Sequence, residues 1–229
     1  MRIHRISLPF SNVFLIRDRR AVLVDTGCRS DSKSLYSQLD KLGVKLSEIS
    51  LVVLTHAHFD HCGCAAELQK SGIPLMACST SQEALSNGLQ EGAQLRVRGK
   101  ASVASLAKRF GFFRFPPVLV DLPISEECSL EHFGVDGRVL LTPGHTESSL
   151  SIALANESAC VGDLLMGGYL GLPPAWVPNV HPASSDLRSC VRHVRYLRAQ
   201  GTNRFFVGHG DVLEATAVDS WLLKFRELT

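Results

Sequence analysis

The sequence predicts one mixed α/β or α+β domain with β-sheet in both halves. Apolar runs of strand length recur along the chain and alternate with helical patterns. The order is strands, helix, strand, helices, strands, helix, strand, helix. No linker-like stretch, low-complexity break or repeat of ~20–50 residues interrupts it. The 229 residues suit one large domain, since domains run to ~100–200 residues. With 45% hydrophobic and 20% charged residues, a disordered or fibrous chain is excluded.

Ile3, Ile6 and Leu8, then Val13 to Ile16, then Ala21 to Val24 read as three short strands, the last two joined by the charged turn Arg17-Asp18-Arg19-Arg20. Leu35, Leu39 and Leu42 mark one face of a helix over 32–42. Leu51 to Leu54 reads as a buried strand running into Thr55-His56. Residues 64–71 suit a helix, stopped by Gly72, and Leu75 to Cys78 a strand. Residues 80–115 read as helix or loop. Strands resume at 118–120, 128–133, 138–142, 149–155 and 159–162, before an irregular Pro- and Gly-rich loop over 167–183. A helix over 184–200 has Ser184 or Ser185 as N-cap and Gly201 as its stop. Phe205-Phe206-Val207 is the last strand and 214–227 the last helix. The chain is thus read as a single domain over 1–229, with a variable insertion near 80–117.

Charge is near balance, with 24 basic and 22 acidic residues, so gross charge does not point to nucleic acid. The seven Cys are odd in number and scattered, which argues for a reducing compartment rather than a disulfide scaffold. Arg5, Ser7 and Asn12 interrupt any signal-like apolar region, and no run reaches the ~18 apolar residues of a membrane helix. The expectation is a cytoplasmic protein with no membrane partner.

The strongest motif is Thr55-His56-Ala57-His58-Phe59-Asp60-His61, which sets four candidate metal ligands directly after a strand. Imidazole and carboxylate are the donors that zinc and other divalent ions accept. His145 (in Pro143-Gly144-His145-Thr146), Asp163 (after Gly162) and His209 (between Gly208 and Gly210) repeat that placement after later strands. Together they fit a metal site at one edge of a sheet layer.

With these motifs the chain resembles the metallo-β-lactamase-fold superfamily of hydrolases. The likeness spans nearly the whole chain: Val24-Asp25-Thr26-Gly27, the His-x-His-x-Asp-His motif, Pro-Gly-His-Thr, Gly-Asp and Gly-His-Gly, in that order. It implies a four-layer αββα sandwich of the α+β class. It implies that His56, His58 and His145 hold one metal, that Asp60, His61 and His209 hold a second, and that Asp163 bridges them. The cofactors implied are two divalent ions, zinc first, with iron or manganese as the other candidates. Asp25 would stand behind the ligands and orient one of the histidines. The reaction implied is hydrolysis by a hydroxide held between the metals, because a bound metal lowers the pKa of water from 15.7 to about 7. His58, Asp60 and Asp163 are the residues nearest that chemistry, with Asp60 a candidate proton relay to the leaving group. No Gly-x-Ser-x-Gly nucleophile elbow is present to compete. Cys62 and Cys64 adjoin the motif, but the ligand positions are filled without them, so both read as buried thiols.

Substrate features are weaker. From Arg96 to Arg114 there are six basic residues and no acid, and four Phe fall between Phe110 and Phe115. This stretch reads as a solvated helix, a homodimer interface or a substrate lid. Tyr169, His181, Phe112 and Phe113 are the candidate substrate contacts. Tyr169 also reads as a packing residue, and His181, alone before Pro182, as a loop residue. The leading expectation is a hydrolase of a small thioester, lactone or other ester, similar to glyoxalase II-like and lactonase-like relatives. The region after Gly210 is too short for the glutathione-binding helices of glyoxalase II itself. A mononuclear iron dioxygenase acting on a persulfide is the first alternative, and a phosphodiesterase or nuclease the second. A secreted β-lactamase fits the cysteine usage poorly, and a purely structural zinc site would be Cys-rich.

Overall fold

The computed structural model describes residues 1–91 and 113–227. β1 (Arg2–Ser7), β2 (Asn12–Arg17) and β3 (Ala21–Val24) form the antiparallel meander expected from the N-terminal pattern. β4 (Ile49–Val53), β5 (Leu75–Cys78) and β6 (Leu122–Ile124) extend the same sheet in parallel, giving the order β1-β2-β3-β4-β5-β6. α1 (Ser32–Lys41), the single turn α2 (Phe59–Cys62), α3 (Ala65–Lys70) and α4 (Gln82–Asn87) lie in its connections.

The second sheet holds β7 (Cys128–Ser129), β8 (Gly137–Leu141), β9 (Leu150–Leu154) and β10 (Ser158–Gly162). A short pair, β11 (Met166–Gly167) and β12 (Pro178–Asn179), and then α5 (Leu187–Ala199) follow. β13 (Arg204–Val207) and β14 (Leu213–Glu214) complete that sheet in the order β14-β13-β10-β9-β8-β7, and α6 (Ala215–Leu222) closes the chain. β10 and β13 run parallel, and the other neighbours in this sheet antiparallel.

Alternation along the strands builds the layers. In β2, Val13 and Leu15 pack with Leu35, Leu39, Leu68 and Leu85 of the helices, whereas Phe14 and Ile16 face the other sheet. In β13, Phe206 joins that inner layer while Phe205 and Val207 pack under Val191, Val194 and Trp221. The inner layer draws on both sheets, with Val22, Val24, Leu51 and Val53 from one and Val139, Ile152 and Cys160 from the other. Strands buried on both faces read as continuous apolar runs, which is why the sequence reveals them. The result is helix, sheet, sheet, helix, the architecture expected.

Some elements fall elsewhere than expected. Val118 is buried beneath the outer face of the first sheet, and pairing starts only at Leu122, after the Asp121 carboxylate has accepted the Leu75 N–H at 2.8 Å. The 128–133 run is a two-residue strand followed by a 3₁₀ turn at Glu131–Phe133. α5 begins after Asp186, whose carboxylate caps the N–H groups of Arg188 and Ser189. Ser185, one of the expected caps, donates instead to Gly144 O at 2.9 Å. The basic run Arg96 to Arg109 and Phe112 lie outside the described residues. No described helix is long and apolar enough to cross a membrane.

Candidate metal centre

The seven expected ligands come from loops that follow strands. His56 and His58 follow β4, Asp60 and His61 lie in α2, and His145 sits between β8 and β9. Asp163 follows β10 and His209 follows β13. Parallel neighbours end at the same edge of a sheet, where α/β proteins gather ligands. Asp25, directly after β3, adopts φ 62°, a left-handed conformation that Asp tolerates better than most residues. This places its carboxylate under the next loop, where it accepts the Thr55 N–H and hydroxyl and lies 2.8 Å from His61 Nδ1.

Hydrogen bonds set the ring nitrogens. Thr55 spends its one hydroxyl proton on Asp25, so at 3.0 Å His56 Nδ1–H donates to Thr55 Oγ1. His61 Nδ1–H donates to Asp25, and His209 Nδ1–H to Phe10 O at 2.8 Å. In all three rings Nε2 is left facing the centre, buried and without a hydrogen-bond partner among the described residues, as is Asp163 Oδ1. His145 Nε2 faces His58 Nδ1 at 3.2 Å.

Asp163 stands at the middle. Its Oδ2 lies 3.3 Å from His209 Nε2, 3.5 Å from His145 Nε2 and 3.7 Å from His56 Nε2, and its Oδ1 lies 3.5 Å from His61 Nε2. Asp60 Oδ2 is 3.5 Å from His209 Nε2 and 4.0 Å from His61 Nε2. The donor atoms gather as His56, His58, His145 and Asp163 in one group and Asp60, His61 and His209 in another, each within 4.8 Å.

Burial pushes His56 and His145 well below the ordinary imidazole pKa and His58 down to about 4. Burial also opposes charge on His61 and His209, but Asp163 and its carboxylate neighbours hold both above the ordinary value. Burial works against the Asp163 carboxylate too, yet His209, His61 and His181 hold its pKa well below normal. Protons alone serve this cluster poorly, because the nitrogen–oxygen gaps exceed good hydrogen bonds. Unpaired buried polar atoms are costly, and divalent cations satisfy this donor set. The residues present therefore fit two metal ions.

Sequence reasoning passed over several supports. Asn12 Nδ2 donates to Val207 O and Gly210 O, and Asn12 N to Gly208 O, fastening the first hairpin to the His209 loop. In the sequence Asn12 showed only as a polar break in an apolar run. A Cβ at Gly208 would collide with Asp163 Oδ1 and stand 2.7 Å from His61 Cε1, so a side chain there would enter the centre. Cys62 donates to His56 O and Cys64 to Cys28 O, and burial raises both thiols, Cys64 to about 12.

The expected substrate contacts scatter. His181 packs edge-on to His145, with ring centroids 4.6 Å apart, and stacks on His209. Phe113 packs its ring against Phe59, beside Asp60. Tyr169 is 52% exposed and bridges Leu172 through the backbone. Beside His209 a cavity of about 290 Å³ is lined by Leu8, Phe10, Leu170 and Leu172.

Residues 7–209 match the family model of the metallo-beta-lactamase superfamily. The chain belongs to the metallo-beta-lactamase superfamily. The expected superfamily, fold and metallo-hydrolase class are thereby borne out. A probable metallo-hydrolase of Methanocaldococcus jannaschii is 28% identical over 206 residues, covering 88% of each chain. A hydroxyacylglutathione hydrolase of Haemophilus influenzae is 27% identical over 157 residues, covering 67% of this chain and 65% of its own length. Among solved structures, one described in a di-iron-bound form aligns with a TM-score of 0.65 at 24% identity, over 93% of this chain and 96% of that one.

Proposed function

We propose that the chain is a hydrolase of small thioesters, lactones or other esters, working through two divalent metal ions. The observation that carries this reading is the set of buried, unpartnered nitrogens aimed at the Asp163 carboxylate. His56, His58 and His145 would hold one ion, Asp60, His61 and His209 the other, and Asp163 both. When bound, the pair would supply a hydroxide nucleophile near neutral pH and Lewis-acid stabilisation of the developing oxyanion.

The protein's own groups prepare this. Asp25 fixes the tautomer of His61 directly and that of His56 through Thr55. Asp60, 12% exposed at its side chain, would accept and return a proton at the leaving atom. The cavity beside His209 joins apolar Leu8, Phe10, Leu170 and Leu172 to polar Arg5, Ser7 and Asp211, a mixed wall that would suit an acyl group with polar substituents. The hydroxyacylglutathione hydrolase likeness supports a thioester among the substrates. Because both sheets contribute ligands, we read 1–229 as one catalytic domain. The seven free cysteines favour the cytoplasm. Zinc is the expected metal, with iron or manganese as alternatives, and a homodimer is tested by measuring mass in solution.

The deciding experiment is metal quantification on purified protein, followed by an ester, thioester, lactone and phosphodiester panel on the same sample. Two metal equivalents per chain with ester or thioester turnover are expected. One iron per chain with oxygen uptake on a persulfide would overturn the reading, and phosphodiester cleavage with salt-sensitive binding would move it to a nuclease.

A further inference from the structure

His181 belongs to the centre in space but not to either ligand group of the motif. Its Nε2 lies 3.8 Å from Asp163 Oδ2, and its donor atom clusters with those of Asp163 and His209 within 4.8 Å. On composition alone it would pass for a further metal ligand. Its hydrogen bonding says otherwise. His181 precedes Pro182, which has no N–H, and the first free amide, Ala183 N–H, donates to His181 Nδ1 at 3.2 Å. A ring nitrogen that accepts carries no proton, so the neutral imidazole bears its proton on Nε2. His56, His61 and His209 have the opposite arrangement, each donating from Nδ1 and leaving Nε2 with a lone pair. One centre thus holds two kinds of histidine, with acceptors of metal on one side and a donor on the other.

Position adds to this. The His181 side chain is 12% exposed, whereas those of His56, His61, His145 and Asp163 are at 1% or less. With Asp60, also 12% exposed, His181 is thus on the solvent-facing side of the centre. Its ring is braced by His145 and His209.

We infer that His181 is a hydrogen-bond donor to the substrate's carbonyl oxygen, directed through Nε2–H, and not a metal ligand. This rests on the hydrolase reading above. A preorganised donor is effective where negative charge develops on that oxygen, and removing one such donor typically costs ~10²–10³-fold in kcat. The assignment also restricts the substrate to one presenting an acceptor oxygen at that face, as esters, thioesters and lactones do.

Two variants separate the donor from the turn. In His181→Asn the amide oxygen replaces Nδ1 and still accepts the Ala183 N–H, but nothing reaches the Nε2 position. In His181→Gln the amide NH₂ reaches the Nε2 position. Both should retain the wild-type zinc content. His181→Asn should lose ~10²–10³-fold in kcat, and His181→Gln should recover at least about tenfold of that loss. Long-range ¹H–¹⁵N correlation spectra of the zinc-loaded, ¹⁵N-labelled chain should show His181 as the uncoordinated Nε2–H tautomer, with its signal assigned by its loss in His181→Asn. An Nδ1–H tautomer, or fewer zinc ions per chain in both variants, would make His181 a ligand and overturn the inference. Wild-type kcat in His181→Asn would reduce it to a turn cap and overturn it equally. A zinc-loaded wild type that hydrolyses nothing in the panel overturns the hydrolase reading instead, and the tautomer still decides whether His181 is donor or ligand.

Discussion

The space between the two sheets and the edge of those same sheets are built from the same strands but follow opposite rules. Between the sheets, Phe14, Val24, Val53, Ile152 and Phe206 fill one another's surroundings, and each needs nothing beyond its neighbours. A residue or two further along the same strands, Asp25, Thr55, His56, Asp163 and His209 are as fully buried, yet several of their polar atoms have no hydrogen-bond partner among the described residues. The interior stabilises itself by removing apolar area from water, at ~1.5–3 kcal/mol for each large side chain. The edge carries a polar deficit of the kind that divalent cations satisfy. One region therefore governs whether the chain folds and the other whether it works, and substitutions should sort accordingly.

The largest effect is expected at the centre of the edge. Asp163→Asn should lose metal and activity together, by more than the ~10–100-fold typical of a group behind the ligands, while circular dichroism and the urea midpoint of the metal-free protein stay close to wild type. Full turnover in this variant would overturn the bridging role proposed for Asp163. Ile152→Ala tests the interior. It should destabilise the chain by ~2–5 kcal/mol in urea titrations and leave the metal bound per folded molecule unchanged. If metal content falls in proportion to stability, the two regions are not separable. The smallest effect belongs to Asp25→Asn, which keeps a residue suited to φ 62° but removes the charge behind His61. Metal affinity, measured by competition with a chelator, should weaken ~10–100-fold, with the fold intact. Unchanged affinity would make Asp25 a turn residue only.

The same contrast explains what was legible in the sequence. Strands between two apolar layers announce themselves as unbroken runs, so β2 to β5, β9, β10 and β13 stand within a few residues of their expected places. The ligand candidates were legible because His and Asp are uncommon together and recur after strands. Supports that act through tertiary contact were not. Asn12 and Thr55 are ordinary polar residues until β13 and Asp25 are brought against them. The N-cap of α5 was misjudged because Ser185 had a stronger claim elsewhere, donating to the loop that carries His145. His181 gave no signal beyond its type; the amide after Pro182 gives it direction, and folding gives it a neighbourhood.

The link between the first hairpin and the last ligand has a consequence for the order of assembly. His209 is held through its Nδ1–H by Phe10 O, and Asn12 clasps the backbone on either side of it, across about two hundred residues of chain. During synthesis the hairpin emerges first, and its partner appears only about two hundred residues later. A nascent chain that has reached Asp163 already carries six of the seven candidate ligands, and the clasp closes only when β13 brings the seventh, His209.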